Sequence, residues 1–298
     1  VMILNILKST RPRQWIKNLM VFLPLLFSAN ESWAFDDIQS FYGLLLNAAV
    51  GFVAFVFASS SVYLFNDVLD RDKDIYHPEK RLRPIASKLV PLRIALLFSL
   101  LFSSIAVIIC VVLLYDTVIY ICAYLVLMAI YSLFLRGTIV VDILSISAGF
   151  VLRVLVGAIA INVPVSIWLY TCMGLGAMFI ALSKRYAEFL AREKDSSLTR
   201  KSLPIYSKLI LERATYVFLI GTIFAYGLYT VNANNLPSNK LMVLTVPFVA
   251  FGMLRYQVLV NQRGFGERPE EIITKDFILR ICVLTWLLLV LILLTIFR

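Results

Sequence analysis

The sequence predicts an all-α integral membrane protein, and three observations carry that prediction. The chain of 298 residues is 61% hydrophobic and only 15% charged, with a mean hydropathy of +0.88. A water-exposed domain of that length needs a far more polar surface. Apolar runs long enough to cross about 30 Å of hydrocarbon recur along the whole chain, too many for a single anchor. The runs are continuous rather than alternating, which favours helices over a membrane β-barrel. Nine are expected, at 15–29, 41–65, 90–112, 117–135, 139–161, 164–183, 214–231, 241–260 and 278–297.

Taken in order, the first run follows RPRQWIKN at 11–18 and is short, so it is tilted or partly interfacial. The leader VMILNILKSTRPRQW enters it without a small-residue cleavage site after an apolar core, and no cleavable signal peptide is expected. The second run ends in acids at 67–74. The third and fourth are joined by the short YDT. The fifth opens on Asp142 and carries Arg153; the sixth ends in SKRYAEF; the last three are apolar, joined by NANNLPSN on one side and a charged stretch on the other. All 28 Lys and Arg residues except Arg153, Lys240 and Arg298 fall on segments of one side, 1–17, 66–93, near 136, 184–213 and 255–280. That asymmetry predicts a cytoplasmic N-terminus and cytoplasmic loops at about 66–93 and 184–213. The net charge of +10 then reflects topology and attraction to anionic head groups, not nucleic-acid binding. Cys110, Cys122, Cys172 and Cys282 sit inside runs without metal-ligand spacing and read as packing residues.

The chemistry concentrates in FNDVLDRDKDIYHPEKRLRP, residues 65–84. Asn66, Asp70 and Asp74 are spaced i, i+4, i+8 and Asp67 stands three before Asp70, so a helix continuing from the second run presents all four on one face. Carboxylates clustered in this way repel one another unless a cation neutralises them. Hard oxygens that leave room for water and phosphate suit Mg²⁺, with Mn²⁺ as the alternative. Asp72 falls on another face, flanked by Arg71 and Lys73, and reads as structural. A solvated helix end leaving the membrane is the plainer reading, but such faces seldom repeat acid at this period without matched lysines. Pro78 and Pro84 stop the helix, which puts Lys80, Arg81 and Arg83 in a loop beside the acids. A metal with adjacent Lys and Arg is a usual way to hold a diphosphate. His77, the only histidine, reads first as loop packing.

Further polar residues stand at the run mouths. Arg11, Gln14, Lys17 and Asn18 open the first run, where topology and interfacial anchoring by Trp15 explain part of their presence. Tyr131 and Arg136 close the fourth. Asp142 and Arg153 are eleven residues apart, about three turns along one helix face, and an arginine that deep needs a polar cavity or an acid. Lys184 and Glu188 pair at i, i+4; with Arg185 they also suit a second phosphate-binding lip.

These motifs resemble the UbiA superfamily of intramembrane prenyltransferases. N-D-x-x-D-x-x-x-D after the second of nine runs carries the likeness. Within the superfamily, RPRQWIKN, NDVLDRDKDIYHPEKRLRPIA, SKRYAEF, RKSLPIY, LRY and GERPEEI with Lys275-Asp276 resemble the decaprenyl-phosphate phosphoribosyltransferase branch, collinearly from Arg11 to about Arg280. The resemblance implies a single UbiA-like domain over 1–298, nine helices around a central cavity open to lipid, and a bacterial plasma-membrane location. It implies transfer of 5-phosphoribose from phosphoribosyl diphosphate (PRPP) to a polyprenyl phosphate, feeding cell-envelope arabinose-containing glycans. SKRYAEF stands where aromatic prenyltransferases carry a second aspartate motif, and basic residues there suit the extra phosphate of a phosphoribosyl donor.

The expected roles follow from that resemblance. Asn66, Asp70 and Asp74 hold the metal–diphosphate, with Asp67 near. Lys17, Lys80, Arg83, Tyr131 and Arg136 are donor-phosphate candidates. Lys184, Arg185 and Glu188 serve the ribose, its 5-phosphate or the acceptor phosphate, and Asp142 and Arg153 shape the cavity. An aromatic prenyltransferase and a transporter are the alternatives; the crowding of charge at one face rather than the midplane speaks against transport. Oligomeric state is left open between monomer and homo-oligomer.

Overall fold

Among the described residues, eight helices long and apolar enough to cross a membrane account for eight of the expected runs: Ile38–Asp74, Leu92–Leu113, Tyr115–Leu135, Val140–Ala160, Ile167–Leu190, Lys208–Asn232, Leu241–Asn261 and Phe277–Phe297. The computed structural model describes residues 2–34, 36–77, 79–135, 139–164, 166–194, 208–263 and 269–297, and no strand is present among them. The run at 15–29 takes another form. Pro12–Phe22 winds as a 3₁₀ helix and α2, Leu23–Phe27, continues it. A 3₁₀ helix rises about 2.0 Å per residue against about 1.5 Å for an α-helix, so these two pieces reach about 30 Å, the thickness that an α-helix of the same length misses.

The chain divides into two compact units. The first comprises Val1–Leu25, Gln39–Ser145 and Leu152–Pro164. It holds α1 (Met2–Ser9), α3 (Ile38–Asp74), α4 (Leu92–Leu113), α5 (Val118–Ile130) with the π-helical turn Tyr131–Leu135, and most of α6 (Ile139–Ala160). Its helices turn small residues inward and large aliphatics outward, as lipid-facing helices do. On α4, Ala95, Ser99, Ala106 and Cys110 are buried while Leu97, Leu100 and Val112 are exposed. On α3, Ala48, Gly51, Ala54 and Ala58 form the buried stripe. Phe55, Tyr124, Ile121, Val156 and Val21 complete that core. A second cluster, Ile6, Leu64, Ile85, Val90 and Ala95, pins α1 and the loop after α3 to the helix bodies.

The second unit comprises Leu26–Ile38, Ile146–Val151 and Val165–Arg298. Here α7 (Ile167–Lys194) and α8 (Lys208–Asn232) pack along their lengths, with α9 (Val246–Arg263), α10 (Pro269–Lys275) and α11 (Phe277–Ile296) beside them. Val217, Ile220 and Phe224 of α8 are exposed at helical spacing, opposite the buried Thr215, Leu219, Thr222 and Tyr226. Tyr226 Oη lies 2.7 Å from Thr245 Oγ1 and accepts from Trp286 Nε1 at 3.0 Å, which satisfies polar atoms that lipid cannot. Asp276 caps α11 by accepting from Leu279 N at 2.8 Å, and Arg255 donates to it at 2.9 Å.

Candidate active site

Helix α3 is 37 residues long. At 1.5 Å per residue it measures about 55 Å, far more than the hydrocarbon requires, so one end must project beyond it. The charged end is Asn66–Asp74. The helix stops there, and Ile75, Tyr76 and His77 close it through amide bonds back to Arg71, Lys73 and Asp74 carbonyls. His77 Nδ1 then accepts from the amides of Glu79 and Lys80, both at 3.3 Å, and so caps the turn Lys80–Leu82. That is the loop role its place before a proline suggested.

Burial of Ile85 and Val90 under Leu64 folds the loop back along α3 and brings Arg83 to the acids. Arg83 Nη1 lies 2.6 Å from Asp74 Oδ2 and 3.2 Å from Asp67 Oδ1. Burial of Ile6 in the same cluster holds α1, whose chain delivers Arg11 to Asp67 from the other side. Arg11 also stacks over Tyr63, 5.1 Å from the ring centroid. Asp67 is only 2% exposed, a burial that two guanidiniums make tolerable for a carboxylate.

Asp67 and Asp74, seven residues apart, therefore share one cation, and Asn66 turns toward the π-helical end of α5. Ser132 Oγ lies 2.5 Å from Asn66 Oδ1 and 2.6 Å from the Met128 carbonyl oxygen. One hydroxyl proton serves one of those acceptors. Tyr131, one residue earlier in the π turn, donates its hydroxyl to the buried Asp142. A π turn inserts a residue into the helix, and here it aims two neighbouring side chains at two different partners.

Lys17 donates to Gln14 within the 3₁₀ segment. Arg153 is 5% exposed; its Nε donates to Asn18 Oδ1 at 2.8 Å, Nη2 lies 3.3 Å from Tyr124 Oη, and its guanidinium sits over the rings of Phe55 and Tyr124. Lys80 and Arg81 are exposed on their turn, and so is Asp72 on α3. In the second unit, Arg185 pairs with Glu188 at 2.6 Å, and Lys184 lies 4.0 Å from the same carboxylate. Arg136 lies outside the described residues.

Ser132 and Tyr63 carry no signal in the sequence, and Arg11 stands there only among the polar residues that open the first run. Nothing in the sequence marks a π turn, and Arg11 meets its acid across 56 residues. Among the described residues no group of three or more His, Cys, Asp and Glu gathers as a metal cluster. Asp67 and Asp74 are instead drawn together on the Arg83 guanidinium. Adjacent pairs such as Asp70 and Asp74 fit a divalent cation better. Such ions usually take one or two carboxylates and fill the rest of the shell with water and phosphate oxygens.

The UbiA prenyltransferase family matches residues 21–270. The chain belongs to that family. Two UbiA relatives are both named decaprenyl-phosphate phosphoribosyltransferase. The one from Mycolicibacterium smegmatis is 33% identical over 294 residues, covering 95% of this chain and 90% of its own. The one from Mycobacterium tuberculosis is 30% identical over 286 residues, covering 96% and 93%. The solved UbiA homologue from Archaeoglobus fulgidus, bound to GPP and Mg²⁺, superposes with a TM-score of 0.71 at 18% identity, over 96% of this chain and 99% of that one. The likeness to that structure establishes the UbiA fold for this chain.

Proposed function

We propose that this protein transfers 5-phosphoribose from PRPP to a polyprenyl phosphate of the decaprenyl type and releases diphosphate. The observation that carries the reading is the relatives' shared name, at 30–33% identity over nearly the whole chain. The acid and guanidinium cluster at the end of α3 supports it, because a diphosphate needs both a cation-binding face and donors for its oxygens.

In this reading a phosphate oxygen of the acceptor attacks the anomeric carbon. The bond from that carbon to the diphosphate oxygen breaks, its electron pair leaving with diphosphate, and the configuration inverts. A phosphate monoester is largely dianionic at neutral pH, with a second pKa of about 6, so no strong base is required. Asn66, Asp70 and Asp74 are the metal–diphosphate face: adjacent oxygens such as those of Asp70 and Asp74 would hold a divalent cation, magnesium foremost, with Asn66 one turn before Asp70, and that charge would neutralise the leaving diphosphate. Arg83, now shared between Asp67 and Asp74, donates to phosphate oxygens, and Lys17, Lys80, Tyr131 and Arg136 add donors for the same group. Asp67, fixed by Arg11, holds the acidic face in place. Lys184, Arg185 and Glu188 take the ribose hydroxyls, its 5-phosphate or the acceptor phosphate; Asp142 and Arg153 shape the cavity. The site faces the cytoplasm of a bacterial-type plasma membrane, where a soluble sugar donor meets a lipid acceptor.

The test is purified protein in detergent with labelled PRPP, Mg²⁺ and polyprenyl phosphates of several lengths. A labelled lipid-soluble product is expected, lost on chelation and lost in Asp70→Asn and Asp74→Asn. Turnover of a prenyl diphosphate with an aromatic acceptor in place of PRPP would overturn the reading.

A further inference from the structure

The segment Pro12–Phe22 stays in 3₁₀ form for 11 residues. Such helices seldom exceed three or four residues, because their hydrogen bonds are poorer than those of an α-helix, so something outside the segment must hold this one. The side chains sort into three rows at a period of three. Trp15, Asn18 and Val21 face inward: Trp15 Nε1 donates to Ser60 Oγ at 3.2 Å, Asn18 Nδ2 donates to Ser59 Oγ at 3.2 Å, and Val21 is fully buried. Arg13, Ile16 and Leu19 form an exposed row. Gln14, Lys17 and Met20 form the third, and Arg11, left-handed at φ 55°, stands just ahead of it. Gln14 N donates to the Arg11 carbonyl at 2.8 Å, which starts the row, and Lys17 donates to the Gln14 side chain.

Winding decides whether those three share an edge. In a 3₁₀ helix residues three apart eclipse. In an α-helix each step of three turns back about 60°, so Lys17 would swing about 60° away from Gln14 and come about 1.5 Å closer along the axis. The inner row is secured at its deep end by two contacts on α6. Arg153 Nε reaches Asn18 at 2.8 Å, and Gly157 lies so close to Val21 that an added Cβ would stand 2.0 Å from its carbonyl oxygen. Arg153 sits over both the Phe55 and Tyr124 rings, which pack edge to face on each other, so the clamp itself has little freedom.

We propose that Arg153 is a positioning residue: acting through Asn18, it holds Pro12–Phe22 in three-residue register and thereby lines Gln14 and Lys17 along one edge, behind the Arg11 that grips Asp67. Gln14 joins that edge as the residue that orients the Lys17 ammonium. The proposal rests on the reading of Lys17 as a donor-phosphate ligand. It gives an arginine deep in an apolar core work in substrate recognition without contact to substrate.

The experiment pairs a kinetic cycle with a spectroscopic readout. Lys17→Met in otherwise native protein is expected to raise KM for PRPP about tenfold, the loss of one charge-assisted hydrogen bond. Arg153→Met is expected to raise that KM by a similar factor, with kcat changed less than about twofold. In the Arg153→Met background, Lys17→Met should cost less than about twofold, because the lysine is already misplaced. In parallel, 5-fluorotryptophan labelling reports on the 4 tryptophans. The ¹⁹F signal of Trp15, assigned with Trp15→Phe, should move in Arg153→Met while those of Trp33, Trp168 and Trp286 hold. An equal cost of Lys17→Met in both backgrounds, or an unmoved Trp15 signal, overturns the proposal. Where all four signals collapse, Asn18→Leu takes the place of Arg153→Met with the same readouts. Native protein that leaves PRPP untouched defeats the proposed reaction instead, and the Trp15 signal alone then decides the clamp.

Discussion

Arg83→Met keeps most of the side chain's length and removes its charge, and its effect can be worked out from three contacts. Arg83 Nη1 is 3.2 Å from Asp67 Oδ1 and 2.6 Å from Asp74 Oδ2, and Asp67 is 2% exposed. Removing one partner of a fully buried ion pair costs about 3–5 kcal/mol, because the other charge is left without compensation. Two features soften the loss: Arg83 is itself 25% exposed, and Arg11 remains on Asp67. The expected destabilisation is about 2 kcal/mol. Asp67→Asn removes the charge that needs the cation, so the double variant Asp67→Asn, Arg83→Met should recover about 1 kcal/mol relative to the sum of the single changes. Unfolding by SDS at constant detergent, followed by helical circular dichroism, gives the four free energies of the cycle. Transfer activity should stay low in the double variant even as stability returns, since the phosphate donor is gone from both. If the two changes add within about 0.3 kcal/mol, the guanidinium does not hold the carboxylates together and the electrostatic account of the site fails.

Gly157→Ala should destabilise by about 1–3 kcal/mol or more in the same assay, since its Cβ meets backbone at 2.0 Å; Gly43→Ala, with nothing within 4 Å, should be neutral or slightly stabilising. Tyr131→Phe leaves the buried Asp142 without the hydroxyl that donates to it; a loss of about 1–3 kcal/mol and a fall in transfer rate are expected, and unchanged values in both assays would detach the π turn from the site. Asp276→Asn retains an oxygen for the Leu279 amide and loses the charge facing Arg255, whereas Asp276→Ala loses both. The alanine variant should be about 1 kcal/mol less stable than the asparagine one, and equal melting midpoints would remove the cap from the account.

The acid period was legible because a helix fixes which residues share a face. Asn66, Asp67, Asp70 and Asp74 all fall on one side of α3 for the same reason that Asp72 does not. Of their cations, Arg83 is legible because it follows in the same loop, while Arg11, 56 residues before Asp67, stands in the sequence only among the polar residues that open the first run. The first run illustrates the other limit. Its shortness was plain in the sequence, but its winding was not, because 3₁₀ and α forms differ little in local propensity and tertiary contacts decide between them.

Long apolar runs and the spaced carboxylates by themselves determined a helical membrane protein with an acidic end to its second run. Each is a property of neighbours in the chain, governed by hydrocarbon thickness and helical pitch. Only the tertiary structure decided that Arg11 and Arg83 grip Asp67, that Ser132 reaches Asn66, and that Asn18 ties the 3₁₀ segment to Arg153. Those partners lie 16 to 135 residues apart, and no local rule of backbone geometry selects among partners at such separations.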